Sequence, residues 1–504
     1  MTAISPSPLR LEDAERPLVL TLDVGTSSVR SLLFDARGRQ IEGIGAQIRH
    51  TPDTTPDGGY TFVADALLER CVAAAAALLE QTDVTPDAVA VDTFWHSLVG
   101  VDAADRAVTP VYLWADTRSR DYVPALRDML DERAVHSRTG CLFHTSYLPA
   151  RLLWLRREHG DLFRRVKLWL SFGEYMWLRL FGTPAGSHSM VSGSGLFDIN
   201  KLQWDEEVLN ALGLAPENLG TVVPVSQPFE GLTPAVRDRL GRLAGVPWFP
   251  ALGDGACSNV GAGCVTPERP AIMIGTSGAM RTVWQVEALT PPWGLWAYRV
   301  DGKRFVMGGA LSNGGNLIEW WTRTLQLERL HEYEDALLQA RPAAHGLTVL
   351  PFWAGERSPG WASDATGAIV GLRLHTSPLD LIQAAMEAVA YRFSLIFERL
   401  VATVDRVDHL VATGGGLLRN RAWRQTVCDV LGRPLVVSLE AEASSRGAAL
   451  VALHALGAWN TLHDVPAAVG ETCYPRPDFH AAHMEARARH TKLYERLVGT
   501  RMDS

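Results

Sequence analysis

Six cysteines in 504 residues, none in a CxxC pair, leave no disulfide framework to read. Cys257 and Cys264 are the nearest pair, and no His or carboxylate cluster beside them completes a zinc set. Basic charge is not in excess: 48 Lys and Arg face 56 Asp and Glu, for a net charge of -8. That balance offers no field for a nucleic acid or an anionic membrane, so neither is an expected partner. No run of about twenty apolar residues exists to span a bilayer. The first sixteen residues are polar and lack an apolar signal segment, so residues 1–16 read as a frayed tail and the expected location is a reducing cytoplasm. Neither a GxxxxGK[ST] loop nor a GxGxxG turn is present, which excludes the two commonest nucleotide-binding motifs.

What is present is length and alternation. A chain this long exceeds one ordinary core and predicts two large domains, over residues 17–262 and 263–504. Pro17–Asp23 is an apolar run ending in Asp23-Val24-Gly25-Thr26-Ser27-Ser28, and a second run, Val29–Asp35, follows at once: strand, tight turn, strand. Ala66–Gln81, Ala125–Val135, Ala150–His159, Pro378–Leu400, Ala422–Leu431 and Gly447–Leu456 have helical patterning. Ala88–Asp92, Leu410–Ala412 and Pro434–Ser438 read as strands, so the fold class is α/β. Half a chain beyond the first turn, Ala271–Ile274 runs into Gly275-Thr276-Ser277 with Arg281 following, as Leu20–Asp23 runs into Gly25-Thr26-Ser27 with Arg30 following. The recurrence suggests two related domains, each offering one hydroxyl- and amide-rich turn.

Such turns suit phosphate, since Gly permits close backbone approach and successive N–H groups ring an anion. A plain hairpin turn is the alternative for each alone. Asp23 is placed to hold Mg²⁺ through water, because Mg²⁺ keeps several of its waters. Gly253-Asp254-Gly255 leaves a carboxylate unshielded by its neighbours and able to take the proton of an attacking hydroxyl; an Asx-turn is the plainer reading. Thr413-Gly414-Gly415-Gly416, between a strand and a helix, lets a flat ring lie on bare backbone, or is only a flexible joint.

Taken together and in order, these elements resemble the FGGY family of carbohydrate kinases from about Leu18 to Leu456. The strongest match is Gly367-Ala368-Ile369-Val370-Gly371-Leu372, then seven residues, then Asp380-Leu381-Ile382-Gln383-Ala384-Ala385-Met386-Glu387. Around Ser146–Trp154 the likeness is poorer, with Arg151 where the family prefers Lys and Leu148 where it prefers a small residue or Pro. The resemblance implies two actin-like, ribonuclease H-like domains with a nucleotide cleft between them, and ATP and Mg²⁺ as cofactors. It gives Asp23, Thr26, Ser27, Ser28 and Arg30 to one phosphate turn and Gly275, Thr276 and Ser277 to the other. It gives Gly315, Glu319, Gly415, Gly416 and Asn420 to the adenosine pocket, Asp254 to the catalytic base, and Asp23 and Asp254 to the metal. Trp95 and His96 resemble the pair that touches sugar hydroxyls, and Trp114-Ala115-Asp116-Thr117-Arg118 the turn that supports the sugar pocket.

Within the family, gluconate kinases are most similar, through Asp254-Gly255-Ala256-Cys257-Ser258-Asn259, Gly275–Arg281 and Asn313-Gly314-Gly315. The implied activity is ATP-dependent phosphorylation of a terminal hydroxyl of a small sugar or sugar acid. A xylulose or other ketose kinase is one alternative, and a non-catalytic actin-like sugar sensor another. An acid substrate needs a cation or several donors for its carboxylate. His144 as a polar contact and Arg357 as the charge are the expected substrate-binding residues, with Arg281 a third candidate. A homodimer stays open.

Overall fold

The computed structural model describes residues 9–327 and 329–499. Its first sheet has strands β1 (Val19–Val24), β2 (Ser28–Phe34), β3 (Gln40–Arg49), β4 (Ala88–Thr93) and β5 (Trp248–Gly253), in the order β5-β4-β1-β2-β3. β1, β2 and β3 form an antiparallel meander, while β4 and β5 add in parallel beyond β1. β1 and β4 are buried at every position, as expected for strands covered on both faces.

The second sheet repeats this plan with β6 (Ala271–Ile274), β7 (Gly278–Gln285), β8 (Trp296–Arg299), β9 (Arg304–Leu311), β10 (Leu410–Thr413), β11 (Leu435–Ser438) and β12 (Val469–Cys473), in the order β8-β9-β7-β6-β10-β11-β12. Its middle five strands, β9-β7-β6-β10-β11, keep the order and directions of the first sheet. The recurrent Gly-Thr-Ser turns therefore occupy equivalent places, one between β1 and β2 and one between β6 and β7. This is the duplicated, actin-like α/β arrangement.

Two expectations are corrected. Residues 1–8 lie outside the described residues, but residues 9–16 are built onto the first domain. Leu9 bridges Ile41, Leu9 and Leu11 pack on the core, and the Arg16 guanidinium donates to the Thr85 carbonyl at 3.1 Å and to Asp87 at 2.7 Å. The segment Ala125–Val135 is two helices, Tyr122–Met129 and Glu132–Thr139, because the Asp131 side chain accepts from the N–H groups of Arg133 and Ala134 and starts a new helix. The helix Ala443–Ala455, from the second half of the chain, reaches across to the first. It packs on β1, β4 and the helix Asp254–Gly261, and Ala448–Leu453 join the core of the first sheet. The two helices meet backbone to backbone. A Cβ on Gly447 would stand 1.9 Å from the Cys257 oxygen, and one on Gly261 1.8 Å from that of Ala443.

A second seam fastens the halves at β8. The Ala297 N–H donates to the Gly140 carbonyl at 3.0 Å, the Arg299 N–H to the Ser192 hydroxyl at 2.9 Å, and the Arg299 guanidinium to the Ile199 carbonyl at 2.7 Å. Among the described residues, no helix is long and apolar enough to cross a membrane.

Candidate active site

Between the two sheets lies a cavity of ≈ 240 Å³. Thr26, Trp95, His96 and Asp254 line it from the first half, and Ser277, Arg281 and Arg357 from the second. Open α/β sheets place ligands beyond the carboxyl ends of their strands. Accordingly Thr26 follows β1, Trp95 follows β4, Asp254 follows β5 and Ser277 follows β6.

Asp254 is the first residue of the helix Asp254–Gly261. Its Oδ1 accepts from the Gly255 N–H at 2.7 Å. Burial raises its pKa to about 6; the Arg281 charge opposes this, and the Asp23 charge adds to it. The flanking glycines are required by contact. A Cβ on Gly253 would lie 1.9 Å from the Trp95 indole, and one on Gly255 2.7 Å from it. The indole thus lies flat on bare backbone beside the carboxylate, held by its Nε1–H donating to the Ser189 carbonyl at 2.8 Å.

His96 has a left-handed backbone, φ 63, which turns its ring into the cavity. Burial pushes its pKa down to about 3, so the imidazole is neutral. Nδ1 faces the Gly193 carbonyl at 2.6 Å and must carry the proton, which leaves Nε2 as an acceptor. Arg151, at the departure from the family's Lys, is buried beneath and donates to the carbonyls of His96 at 2.9 Å, Leu113 at 2.8 Å and Thr145 at 3.1 Å. Asp116 and Arg118 pair at 2.6 Å, and Asp116 accepts from the Tyr60 N–H at 3.1 Å, fixing the turn that carries Trp114 to the cavity wall.

Arg357 reaches the cavity with its guanidinium carbon 5.4 Å from the centre of the Trp114 ring, and donates to the Leu311 carbonyl at 2.8 Å. Its Nε is buried and has no partner among the described residues. Arg281 approaches the Gly255 carbonyl at 3.5 Å. Burial lowers both arginines, Arg357 to about 10, but leaves them charged at neutral pH. His144 does not line the cavity. It sits behind, edge-on to Trp361 at 5.1 Å, its Nδ1 accepting from the Ser146 N–H at 3.1 Å.

The two turns face the same cleft. Gly25 N–H donates to the Ser28 carbonyl at 2.9 Å, and Gly275 N–H to that of Ser277 at 2.9 Å. Thr26 is half-buried, and Ser27 and Thr276 are exposed and free to meet a ligand. Ser28 is buried, and its hydroxyl is taken by Gln47 at 3.1 Å. Arg30 is also committed, to Asp23 at 2.9 Å and Glu442 at 2.6 Å. Gly315, Glu319, Gly415, Gly416 and Asn420 stand outside the enclosed cavity, beyond β9 and β10, with Glu319 exposed. The Asn420 side chain caps the helix Arg421–Leu431, accepting from the Trp423 N–H at 2.8 Å.

Sequence reasoning missed several wall residues. Tyr147 and Tyr298, from opposite halves, share a hydroxyl–hydroxyl hydrogen bond of 2.6 Å, and Tyr298 stacks on Trp296 at 4.5 Å. The Trp296–Tyr298 spacing puts both rings on one strand face, a signal that was available. Asp92 was also missed. Asp23, Asp92, Asp254 and Glu442 outnumber the nearby Arg30 and Arg281, and Asp92 is fully buried with its carboxyl hydrogen-bonded to that of Asp23. That excess of negative charge suits a divalent cation. Among the described residues no three His, Cys, Asp or Glu side chains converge closely enough to ligate one directly.

Comparison with known proteins agrees with this geometry. The N-terminal domain of the FGGY family of carbohydrate kinases matches residues 18–261, and its C-terminal domain residues 271–456. The gluconokinase of Bacillus subtilis (strain 168) is 27% identical over 468 residues, 90% of each chain. Among solved structures, the gluconate kinase and the ligand-bound xylulose kinase from Lactobacillus acidophilus each give a TM-score of 0.89 at 23% identity. Each covers 96% of this chain, and the match spans 98% of the former and 99% of the latter. With both halves matched, the duplicated fold in place and an acid between the two turns, the chain belongs to the FGGY family of carbohydrate kinases, phosphotransferases that take their phosphoryl group from ATP.

Proposed function

We propose that the substrate is a sugar acid, gluconate, phosphorylated on its terminal hydroxyl. The observation that carries this is the pairing of Arg281 and Arg357 in the cavity wall, neither of them in an ion pair with a carboxylate among the described residues, opposite the carboxylate of Asp254. A neutral sugar gives those charges nothing to offset their desolvation, whereas a substrate carboxylate does.

In this reading the carboxylate lies at Arg357 and the far hydroxyl at Asp254. His96 Nε2 accepts a hydrogen bond from a chain hydroxyl, and the indole of Trp95 covers C–H groups. Asp254, ionised above its pKa of about 6, takes the proton of the terminal hydroxyl as that oxygen attacks the γ-phosphorus in line and ADP leaves. The N–H and hydroxyl groups of Thr26, Ser27, Thr276 and Ser277 hold the phosphates, Gly275 permits close backbone approach, and Gly315, Glu319, Gly415, Gly416 and Asn420 surround the adenosine. Asp23 and Asp254 are the residues toward Mg²⁺, which when bound neutralises charge on the phosphates.

The test is kcat/KM with gluconate, xylulose and glycerol, in the wild type and in Arg357→Met. A charge-assisted contact contributes about 1.5–3 kcal/mol, so the variant should lose about ten- to a hundredfold on gluconate and little on a neutral sugar. Faster wild-type turnover of xylulose than of gluconate at equal concentration overturns the sugar-acid reading.

A further inference from the structure

We propose that the Tyr147–Tyr298 pair binds the sugar: it keeps one O–H free to donate to a sugar oxygen, beside the accepting Nε2 of His96. Tyr147 precedes the helix Leu148–Glu158 in the first half, and Tyr298 lies on β8 in the second. Both line the cavity, both are 2% exposed, and their hydroxyls are bonded to each other at 2.6 Å. Burial pushes both phenols well above their usual range, so each keeps its proton. The bond between them spends one of those protons and leaves the other. Among the described residues neither hydroxyl has a second hydrogen-bond partner.

A buried O–H without an acceptor is costly, and phenylalanine at either position would avoid the cost with the same ring packing. The rings are held in place. Tyr298 stacks on Trp296 at 4.5 Å with the planes 8° apart, and Tyr147 lies 5.9 Å from Trp361. His96 stands against both, its ring centre 4.9 Å from that of Tyr147 and 5.5 Å from that of Tyr298. Acceptor and donor thus sit side by side. A sugar hydroxyl matches them, giving its proton to His96 Nε2 and receiving the tyrosine proton on the same oxygen. The inference rests on the sugar lying at His96 and not on its being an acid, since a sugar acid and a neutral sugar both carry such a hydroxyl.

The experiment uses the full chain and whichever of gluconate and xylulose the wild type turns over with the higher kcat/KM. Tyr147→Phe, Tyr298→Phe and the double variant are compared by calorimetric Kd for the sugar and by KM for ATP, and cooperative melting qualifies each. Tyr147→Phe combined with Tyr298→Leu stands in should the double phenylalanine variant not melt cooperatively. A pair that only clasped the two halves would be broken in full by either single change, and the second change would add nothing. With a donor free for the sugar, the hydroxyl left by a single change still donates, and the double change alone leaves the sugar oxygen unpaired. Each single variant should raise the sugar Kd about two- to threefold and the double about tenfold beyond that, with KM for ATP unchanged. A double variant that binds sugar as well as the single ones overturns the proposal and leaves the pair a clasp. His96→Ala, measured alongside, then shows whether the sugar's place at His96 fails with it.

Discussion

Replacing Asp254 with Asn should make the protein more stable at alkaline pH while it removes most of the activity. Burial raises the Asp254 carboxyl from the ordinary 3.8 to about 6. The folded state therefore binds this proton more tightly than the unfolded state, and stability falls as pH rises from about 4 through about 6. Above that window the ionised carboxylate costs the fold two pKa units, about 3 kcal/mol at most. At pH 5 about half of that cost remains. Asn does not ionise, so it escapes the cost, although Arg281 loses the charge that partly offsets its own burial. The net gain at pH 8 should be about 1–2 kcal/mol and should shrink toward pH 5. Turnover should drop by about 10²–10⁴, the usual contribution of a general base. The assay pairs melting temperature at pH 5 and pH 8 with kcat at saturating ATP and sugar. In the wild type, kcat/KM should fall about tenfold per unit as pH drops below about 6. A variant less stable than wild type at pH 8, or one retaining more than half of wild-type kcat, refutes the assignment of Asp254 as a strained base.

Two further outcomes test the walls of the cavity. His96→Ala should raise KM for the sugar and spare KM for ATP, because its accepting Nε2 faces the sugar end; the opposite split in a steady-state assay would take His96 out of the site. Gly253→Ala should destabilise by about 1–3 kcal/mol, the range for an overpacked core, since its Cβ would meet the Trp95 indole at 1.9 Å. Melting and the quenching of Trp fluorescence by added sugar would both report it, and a neutral outcome in both would mean that the indole does not rest on this backbone.

The two Gly-Thr-Ser turns were legible because their signal is local. Strand, Gly-Thr-Ser and strand repeat half a chain apart, and the duplicated strand order gives them equivalent places. The place of Asp254 at the junction of the two halves was legible for a similar reason, though its glycines were read as leaving the carboxylate unshielded. Their contact with Trp95 adds a stricter demand, which no window of sequence contains. Arg151 shows the same limit. It departs from the family's Lys, yet its planar fork reaches three carbonyls, including that of His96, a geometry that a Lys ammonium on a single stem does not reproduce.

The helix Ala443–Ala455 marks where local reading ends. Its small apolar residues predict a helix buried on a sheet but do not say which sheet, and proximity in the chain favours the second. The deciding residue is Gly447. A glycine inside a helix costs about 1 kcal/mol relative to alanine, so its presence there requires an offsetting contact. That contact is the backbone of the helix Asp254–Gly261, whose Gly261 opens the reciprocal gap. The two glycines let the helices touch directly, and the residue at the start of one of them is Asp254. The position of the carboxylate is therefore set from below by a helix that the chain supplies nearly two hundred residues later. Arg446 strengthens the same junction by donating to the Gly38 carbonyl at 2.9 Å.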